Sequence, residues 1–239
     1  MARPTFINTY GEPMPADLLA RAQRLAAAHV PQLAWANNVA LQTVFRACAD
    51  NPGVFPLTPK NDLDEYIAWW LRKYADGLAR RPSLRSGGLV TTTEDAAVRI
   101  VLEARSGRRG EQLNELTEGH RLAMAAENIV GDLLEEYVAE HVAPRGWYCA
   151  WGSTMRDIDF CSRDGVLLQV KNRDNSENNA SRRVRAGTQI RQWHRSKAHG
   201  GATLWPRLAE IVGDANLSEE GFLGFVRATM TNNRALLAV

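Results

Sequence analysis

Asp159, Gln169 and Lys171 have side chains of the types that support metal-assisted hydrolysis. They fall in two stretches of β-forming residues, 155–161 and 166–172, which the turn signal Arg-Asp-Gly separates. We therefore expect two paired strands whose side chains alternate between faces. Pairing would bring an acid, an amide oxygen and an ammonium group together. Oxygen ligands suit Mg²⁺, and a lysine beside the ion can orient or deprotonate a water, or offset phosphate charge.

Two alternatives apply to these residues taken alone. Asp157 shares the expected strand face with Asp159, so it is the second candidate for the first acid. The pair of strands could also be an ordinary exposed hairpin with polar residues on its wet face, because D-x-D and Q-x-K patterns are individually common.

A basic, amide-rich segment, 172–197, follows the second strand directly. The whole chain carries a net charge of only +2, so its positive charge is concentrated here. Arg, Asn and Gln side chains pair with base edges, and a basic stripe attracts phosphate. A solvated loop is the alternative, but long loops without structure of their own are uncommon. We expect nucleic-acid contacts from a group of polar and basic side chains: Asn172, Arg173, Asn175, Ser176, Asn178, Arg182, Arg183, Arg185 and Arg191.

The residues of this region resemble the SinI-like type II restriction endonucleases, within the PD-(D/E)xK nuclease superfamily. The resemblance covers about residues 125–200 and is carried by four runs, namely 168–173, 175–178, 184–190 and 193–195. The superfamily pattern is an acid followed by (Asp/Glu)-x-Lys on the next strand. Gln169 departs from it, since an amide keeps a ligand oxygen but loses a negative charge. Asp159 is preferred to Asp157 because the family's acid usually precedes a bulky apolar residue, here Phe160.

The resemblance implies Mg²⁺-dependent cleavage of double-stranded DNA by a homodimer, at GGWCC (W is A or T), leaving a 5′ phosphate. It also implies a cognate cytosine methyltransferase as a functional partner. Metal ligands would be Asp159, Gln169 and a further carboxylate, with Lys171 as the catalytic amine.

The further carboxylate is expected on the helix before the sheet, because nucleases of this superfamily often send a glutamate from there into the metal site. An apolar stripe at helical spacing predicts this helix over 117–143. Glu127 lies at the edge of the stripe by helical angle and is our candidate for a catalytic and metal-binding residue. Glu135 is the alternative, although it points away from the stripe on the same projection. Alternatively, Glu127 forms only a salt bridge on the surface and has no role in metal binding.

Helical periodicity and turn signals predict the remaining elements. Expected helices are 16–30, 33–49, 63–78, 92–104, 205–212 and 218–230, with a strand at 147–151 and helical character near 182–195. The fold class is therefore α/β or α+β, a small mixed sheet flanked by helices. We expect a mainly helical region over 1–115 and a nuclease core over 116–239, or one continuous domain.

Composition narrows the class of protein further. No apolar run approaches the length of a membrane span, and the first residues lack the pattern of a signal peptide. Three widely separated cysteines indicate neither a disulfide framework nor a zinc knuckle, so we expect a reducing cytoplasm. Two other functions stay open: a methylation-dependent or repair nuclease of the same superfamily, and a catalytically silent DNA-binding protein.

Overall fold

The computed structural model describes residues 15–57, 62–85, 95–174, 190–197, 200–213, 216–233 and 236. The helices are α1 (Leu18–His29), α2 (Val39–Asp50), α3 (Leu63–Ala79), α4 (Ala96–Ser106), α5 (Gly110–Val142), α6 (Trp205–Val212) and α7 (Glu219–Asn232). The strands are β1 (Trp147–Cys149), β2 (Phe160–Ser162), β3 (Leu167–Asp174) and β4 (Ile190–Lys197). No helix among the described residues is long and apolar enough to cross a membrane.

The four strands form one mixed sheet in the order β1-β2-β3-β4. The pairs β1–β2 and β2–β3 are antiparallel, whereas β3 and β4 run parallel. The expected hairpin therefore exists, with Phe160 opposite Leu168. A mixed sheet flanked by helices confirms the predicted α+β class.

Helices cover both faces of the sheet, which is why its central strands are apolar on both sides. Alternate residues of β3 enter two different cores, because side chains of a strand alternate between faces. Leu167 joins a cluster built with α1, α2 and α3, and Leu168 joins one built with α5, α6 and α7. The site strands are thus held between two layers of helices.

The connection between β1 and β2 is pinned to the N-terminal helices. The carbonyl of Thr154 accepts a hydrogen bond from the Trp70 indole at 2.8 Å. The Arg156 amide donates to the Val54 carbonyl at 2.7 Å, and Ile158 is buried in the same core. These contacts fix the backbone immediately before Asp159.

Helix α5 is 33 residues long, and it joins the core cluster against the sheet with its second half. From Ile129 onwards its apolar face is buried, whereas Leu122 in the first half is exposed. The buried carboxylate of Glu136 anchors the second half, since it accepts the Ser83 amide at 2.7 Å and pairs with Arg81 Nε at 2.9 Å. This helix also crosses the expected boundary at 115/116, and the division into two regions stays a prediction.

Two local expectations were wrong. The stretch 155–161 is not one strand, because β2 begins only at Phe160 and Asp157 has a left-handed backbone with φ of 60°. The stretch 190–195 is not helical but lies in β4, where pairing with β3 overrides its weak local preference. Residues 182–189 of the same expectation lie outside the described residues.

Gly77 of α3 contacts the turn after β1 backbone to backbone. A Cβ on Gly77 would lie 2.1 Å from the Gly152 nitrogen, closer than any real contact. We therefore expect Gly77→Ala to lower the free energy of unfolding by about 1–3 kcal/mol, through overpacking. Gly224→Ala is the matched control, because a Cβ there meets nothing within 4 Å in α7. It should stabilise by about 0.5–1 kcal/mol. Urea unfolding of both variants measures these changes in stability. Equal urea midpoints for the two variants would contradict the close approach of Gly77 to Gly152.

Candidate active site

Asp159 is held by the sheet through both its backbone and its side chain. Its amide donates to the Leu168 carbonyl at 3.0 Å, and its carbonyl accepts from the Ala150 amide at 2.8 Å. Its carboxylate oxygen Oδ2 accepts the Val170 amide of β3 at 2.7 Å. Burial raises the pKa of the Asp159 carboxyl to about 6, although the Val170 hydrogen bond and the Lys171 charge act in the opposite direction. The carboxylate is therefore fixed in place, although burial disfavours its ionised form.

The face of β3 beside Asp159 carries Gln169 and Lys171. Gln169 is only 3% exposed, whereas Lys171 is partly exposed. The parallel register places Gln192 of β4 next to Gln169, and Gln192 Nε2 donates to Gln169 Oε1 at 3.0 Å. The amide oxygen is thus held below the surface, with the lysine at its outer edge.

Glu135 of α5 is the second carboxylate of this group. Burial raises the pKa of its carboxyl well above the usual range, and the negative charges of Asp159 and Asp132 raise it further. The Lys171 charge lowers it. These charge effects indicate that Glu135 lies near Asp159 and Lys171, whereas the sequence analysis gives Glu135 only as the alternative to Glu127. Asp132, one helical turn earlier, forms an ion pair with Arg85.

Glu127, our candidate for the further carboxylate, lies on the surface in the structure, and its role stays a prediction. Its side chain is 62% exposed and pairs with Arg173 at 3.5 Å on the surface. The physical reason is the position of α5. Glu127 precedes Ile129, where the helix enters the core, and Glu135 lies about 12 Å further along the axis.

Asp157 does not share the strand face of Asp159, although its negative charge contributes to the raised pKa of the Asp159 carboxyl. The left-handed backbone of Asp157 turns the exposed side chain towards Arg156, whose Nε lies 4.0 Å from Asp157 Oδ2. The two acids of the D-x-D pattern therefore do not share a strand face, and Asp159 alone points its carboxylate at β3.

The structure separates the expected DNA-contacting residues. Arg173 is exposed beyond Lys171, and the partly buried Asn172 accepts a hydrogen bond from Arg195 Nε at 2.8 Å through its side-chain oxygen. Arg191 is exposed but lies on the opposite face from Gln192, because alternate residues of β4 face opposite ways. The remaining candidates lie outside the described residues: Asn175, Ser176, Asn178, Arg182, Arg183 and Arg185.

The donor set fits a divalent cation of the Mg²⁺ type. Among the described residues no group of three or more His, Cys, Asp and Glu side chains is arranged to hold a metal ion. Mg²⁺ needs only one or two carboxylates, however, and keeps several waters. Asp159 and Glu135 could supply two carboxylates, whose pKa values burial raises, and Gln169 could supply an amide oxygen. A cation there would neutralise the repulsion between the two acids.

Gln192 and Arg85 were not recognised as neighbours of the site from the sequence. Gln192 can be identified as a neighbour of Gln169 only when the register of β4 against β3 is known. Arg85 reaches Asp132 because Asn233 Nδ2 donates to the Ser83 and Arg85 carbonyls, a contact between residues 148 and more positions apart. No local pattern could have indicated it.

The chain is similar to proteins of one known family. A model of the SinI restriction endonuclease family matches residues 38–232. The type II restriction enzyme Eco47I of Escherichia coli is 41% identical over 170 residues, which are 69% of this chain and 72% of that enzyme. The type II restriction enzyme SinI of Salmonella infantis is 42% identical over 143 residues, which are 58% of this chain and 62% of SinI. Because the family model covers most of the chain, the protein belongs to the SinI restriction endonuclease family.

Proposed function

We propose that this protein is a type II restriction endonuclease, a sequence-specific enzyme that hydrolyses phosphodiester bonds of double-stranded DNA. One observation carries the proposal: Asp159 is bonded to β3 between Gln169 and Lys171, and its buried carboxyl lies near that of Glu135, with the pKa values of both acids raised. Two carboxylates, an amide oxygen and an ammonium group are the parts that metal-assisted phosphoryl hydrolysis requires. Membership of the family supports the same activity.

The proposed role of each residue follows from its position. Asp159, Glu135 and Gln169 would hold Mg²⁺, which when bound would make a water more acidic and polarise the phosphate. Lys171, at the partly exposed edge, orients the attacking water or offsets charge on the phosphate. The Val170 amide fixes the orientation of the Asp159 carboxylate, because it donates a hydrogen bond to one of the two carboxylate oxygens.

The finer features are proposals that follow from the family. The described part of the chain carries one such group of residues. Cutting both strands of a symmetric DNA site, with one active site for each strand, therefore calls for a homodimer. GGWCC is the proposed recognition sequence, and a cognate cytosine methyltransferase would protect the host DNA. A cytoplasmic location is consistent with Cys48, Cys149 and Cys161, which are buried and free.

The test of this function is cleavage of unmethylated phage DNA with Mg²⁺, followed by run-off sequencing of the ends. We expect discrete fragments cut at one short sequence, and no cutting with EDTA, because the carboxylates alone cannot activate water. Run-off sequencing gives the site and the stagger together. Binding of the DNA without any cleavage would contradict the nuclease function and favour a silent DNA-binding protein.

Asp159→Asn and Lys171→Ala should remove cleavage while DNA binding survives. Asp159→Asn keeps the hydrogen-bond acceptor but loses a ligand charge, and we expect at least about a 100-fold slower single-turnover rate. Loss of the Lys171 amine should cost about 10²–10⁴-fold. Asp157→Asn is the matched control, since Asn tolerates the left-handed backbone and the side chain lies outside the site. Wild-type cleavage by Lys171→Ala would show that the active site is assigned wrongly.

Glu135→Gln and Glu127→Gln compare the two glutamates of α5 by the same change. We expect Glu135→Gln to slow cleavage about 100-fold or more, but to raise the melting temperature of the metal-free protein. The raised pKa of Glu135 means that its ionised form opposes folding, and the neutral amide removes that cost. Glu127→Gln loses only a surface ion pair, so its rate should change less than about fivefold. The opposite ranking in single-turnover cleavage would restore Glu127 as the ligand.

A further inference from the structure

Asn172 of β3 and Arg195 of β4 are joined by one hydrogen bond between their side chains. Arg195 Nε donates to Asn172 Oδ1 at 2.8 Å. A guanidinium group has donors only, so the end of the Asn172 amide that meets Arg195 must be its oxygen. A second amide could present either end, whereas an arginine fixes the orientation of its partner. The Nδ2 group of Asn172 is therefore directed away from β4.

The guanidinium group of Arg195 is itself held in place by α7. Its Nη1 donates to the Glu219 carboxylate at 2.5 Å, and its Cζ lies 5.1 Å from the centre of the Phe222 ring. The other oxygen of Glu219 accepts the Trp205 indole at 2.8 Å. The Arg195 side chain is only 14% exposed. Because its partners hold it on two sides, the guanidinium group cannot follow a rotation of the Asn172 amide.

The Nδ2 group of Asn172 is an open donor. Within the described part of the chain, the Asn172 side chain forms no hydrogen bond besides the one from Arg195. The buried side-chain nitrogen and oxygen atoms that lack a partner among these residues are Thr154 Oγ1 and Arg156 Nε, so Nδ2 is not buried. The amide oxygen is thus engaged by the protein, while the nitrogen is accessible to a ligand.

This open donor lies on the active-site side of β3. Asn172 follows Val170 on the face of β3 that packs against α5, because alternate residues of a strand share a face. In the sheet β3 lies between β2 and β4, so the direction away from β4 leads towards β2. Asp159 accepts the Val170 amide from that same side. Asn172 is two residues, or about 7 Å, further along the strand than this bond.

The surroundings of the nitrogen favour a phosphate oxygen as its acceptor over a base edge. Lys171 and Arg173 flank Asn172, so three consecutive residues of β3 present donors. Asparagine recognises adenine through both ends of its amide, but Arg195 already occupies the oxygen end of Asn172. Single donors among cationic side chains are typical of contacts with phosphate, which position the duplex without reading its sequence.

We propose that Asn172 donates a hydrogen bond from Nδ2 to a phosphate oxygen of the DNA strand at the active site, and that Arg195 is the positioning residue that keeps this nitrogen outward. The proposal rests on the nuclease function above. It assigns the Asn172 amide one direction, which the residue type alone does not give. Because a phosphate contact carries no sequence information, its loss weakens binding to every sequence alike.

The first test compares Asn172→Asp with Asn172→Ala. The aspartate keeps an oxygen for Arg195 but has no donor. We therefore expect a melting temperature at or above that of the wild type for Asn172→Asp, and a lower one for Asn172→Ala. Both variants should bind cognate and unrelated duplexes about tenfold or more weakly in metal-free gel shifts. Wild-type DNA affinity of Asn172→Asp would overturn the proposal, because it would leave Asn172 only its bond to Arg195.

A phosphate scan separates a direct contact from the added charge of the aspartate. Each duplex carries one neutral methylphosphonate linkage, moved stepwise around the cleavage site that run-off sequencing gives. At one linkage in each strand, we expect the methylphosphonate to weaken wild-type binding about tenfold more than that of Asn172→Ala, which has no donor left to lose there. Parallel profiles of the two proteins would overturn the contact, and an altered sequence preference of Asn172→Ala would overturn its assignment to phosphate.

Arg195→Lys and Glu219→Gln separate the positioning role from general support of the sheet. Lysine keeps a cation for Glu219 but lacks the rigid fork that reaches Glu219 and Asn172 at once. We expect Arg195→Lys to lose about as much DNA affinity as Asn172→Ala, and the double variant less than about twofold more. Glu219→Gln weakens the same network from its other end but leaves Arg195 Nε facing Asn172, so its DNA affinity should stay within about twofold of the wild type. Equal losses in Arg195→Lys and Glu219→Gln would reduce Arg195 to a structural residue.

The outcomes for this inference and for the nuclease function can be told apart. A wild-type protein that neither binds nor cuts DNA would reject the nuclease function, and this inference with it. Binding and cleavage by the wild type, with unchanged DNA affinity in both Asn172 variants, would reject this inference alone.

Discussion

The carboxylate of Asp159 completes the hydrogen-bond ladder between β2 and β3. Regular pairing ends at Phe160 and Leu168, and the next amide donor on β3, that of Val170, is taken by Asp159 Oδ2 instead of a backbone carbonyl. Because the flanking residues of Val170 are Gln169 and Lys171, this one bond sets the acid beside the amide and the amine. The spacing of the site is therefore a property of backbone pairing, and any slip of the hairpin by one residue would abolish it.

The two buried acids of the site destabilise the folded state when they are ionised, and interactions of neighbouring residues offset that cost. Burial raises the pKa values of both Asp159 and Glu135, so their ionised forms oppose folding until a cation or Lys171 compensates them. Glu136, the next residue along α5, has the opposite environment. Its buried carboxylate is satisfied by Arg81 and by the Ser83 amide. One of two adjacent acids thus anchors the helix, and that anchoring holds the other acid in a position it would not take by itself.

The pairing of β2 with β3, which sets Asp159 beside β3, could be predicted because turn chemistry and alternation are local signals. The same holds for helices 63–78 and 205–212, which the structure places at Leu63–Ala79 and Trp205–Val212. Glu135 could not be ranked above Glu127, because an apolar stripe gives the angle of a helix face but not the residue at which the helix meets the sheet. The face on which Arg191 lies could not be predicted for a related reason, since it depends on β4 being a strand parallel to β3.

The amide at position 169 is better understood as a matter of charge than as decay of the site. The charges of Asp159 and Asp132 already raise the pKa of Glu135, and burial raises the pKa of Asp159. A third ligating acid at position 169, buried as deeply as Gln169 is, would push all of these pKa values higher. An amide keeps the ligand oxygen without that charge, at the expense of needing a fixed orientation. The buried amide at position 169 therefore adds no charge beside two acids whose ionised forms burial already disfavours.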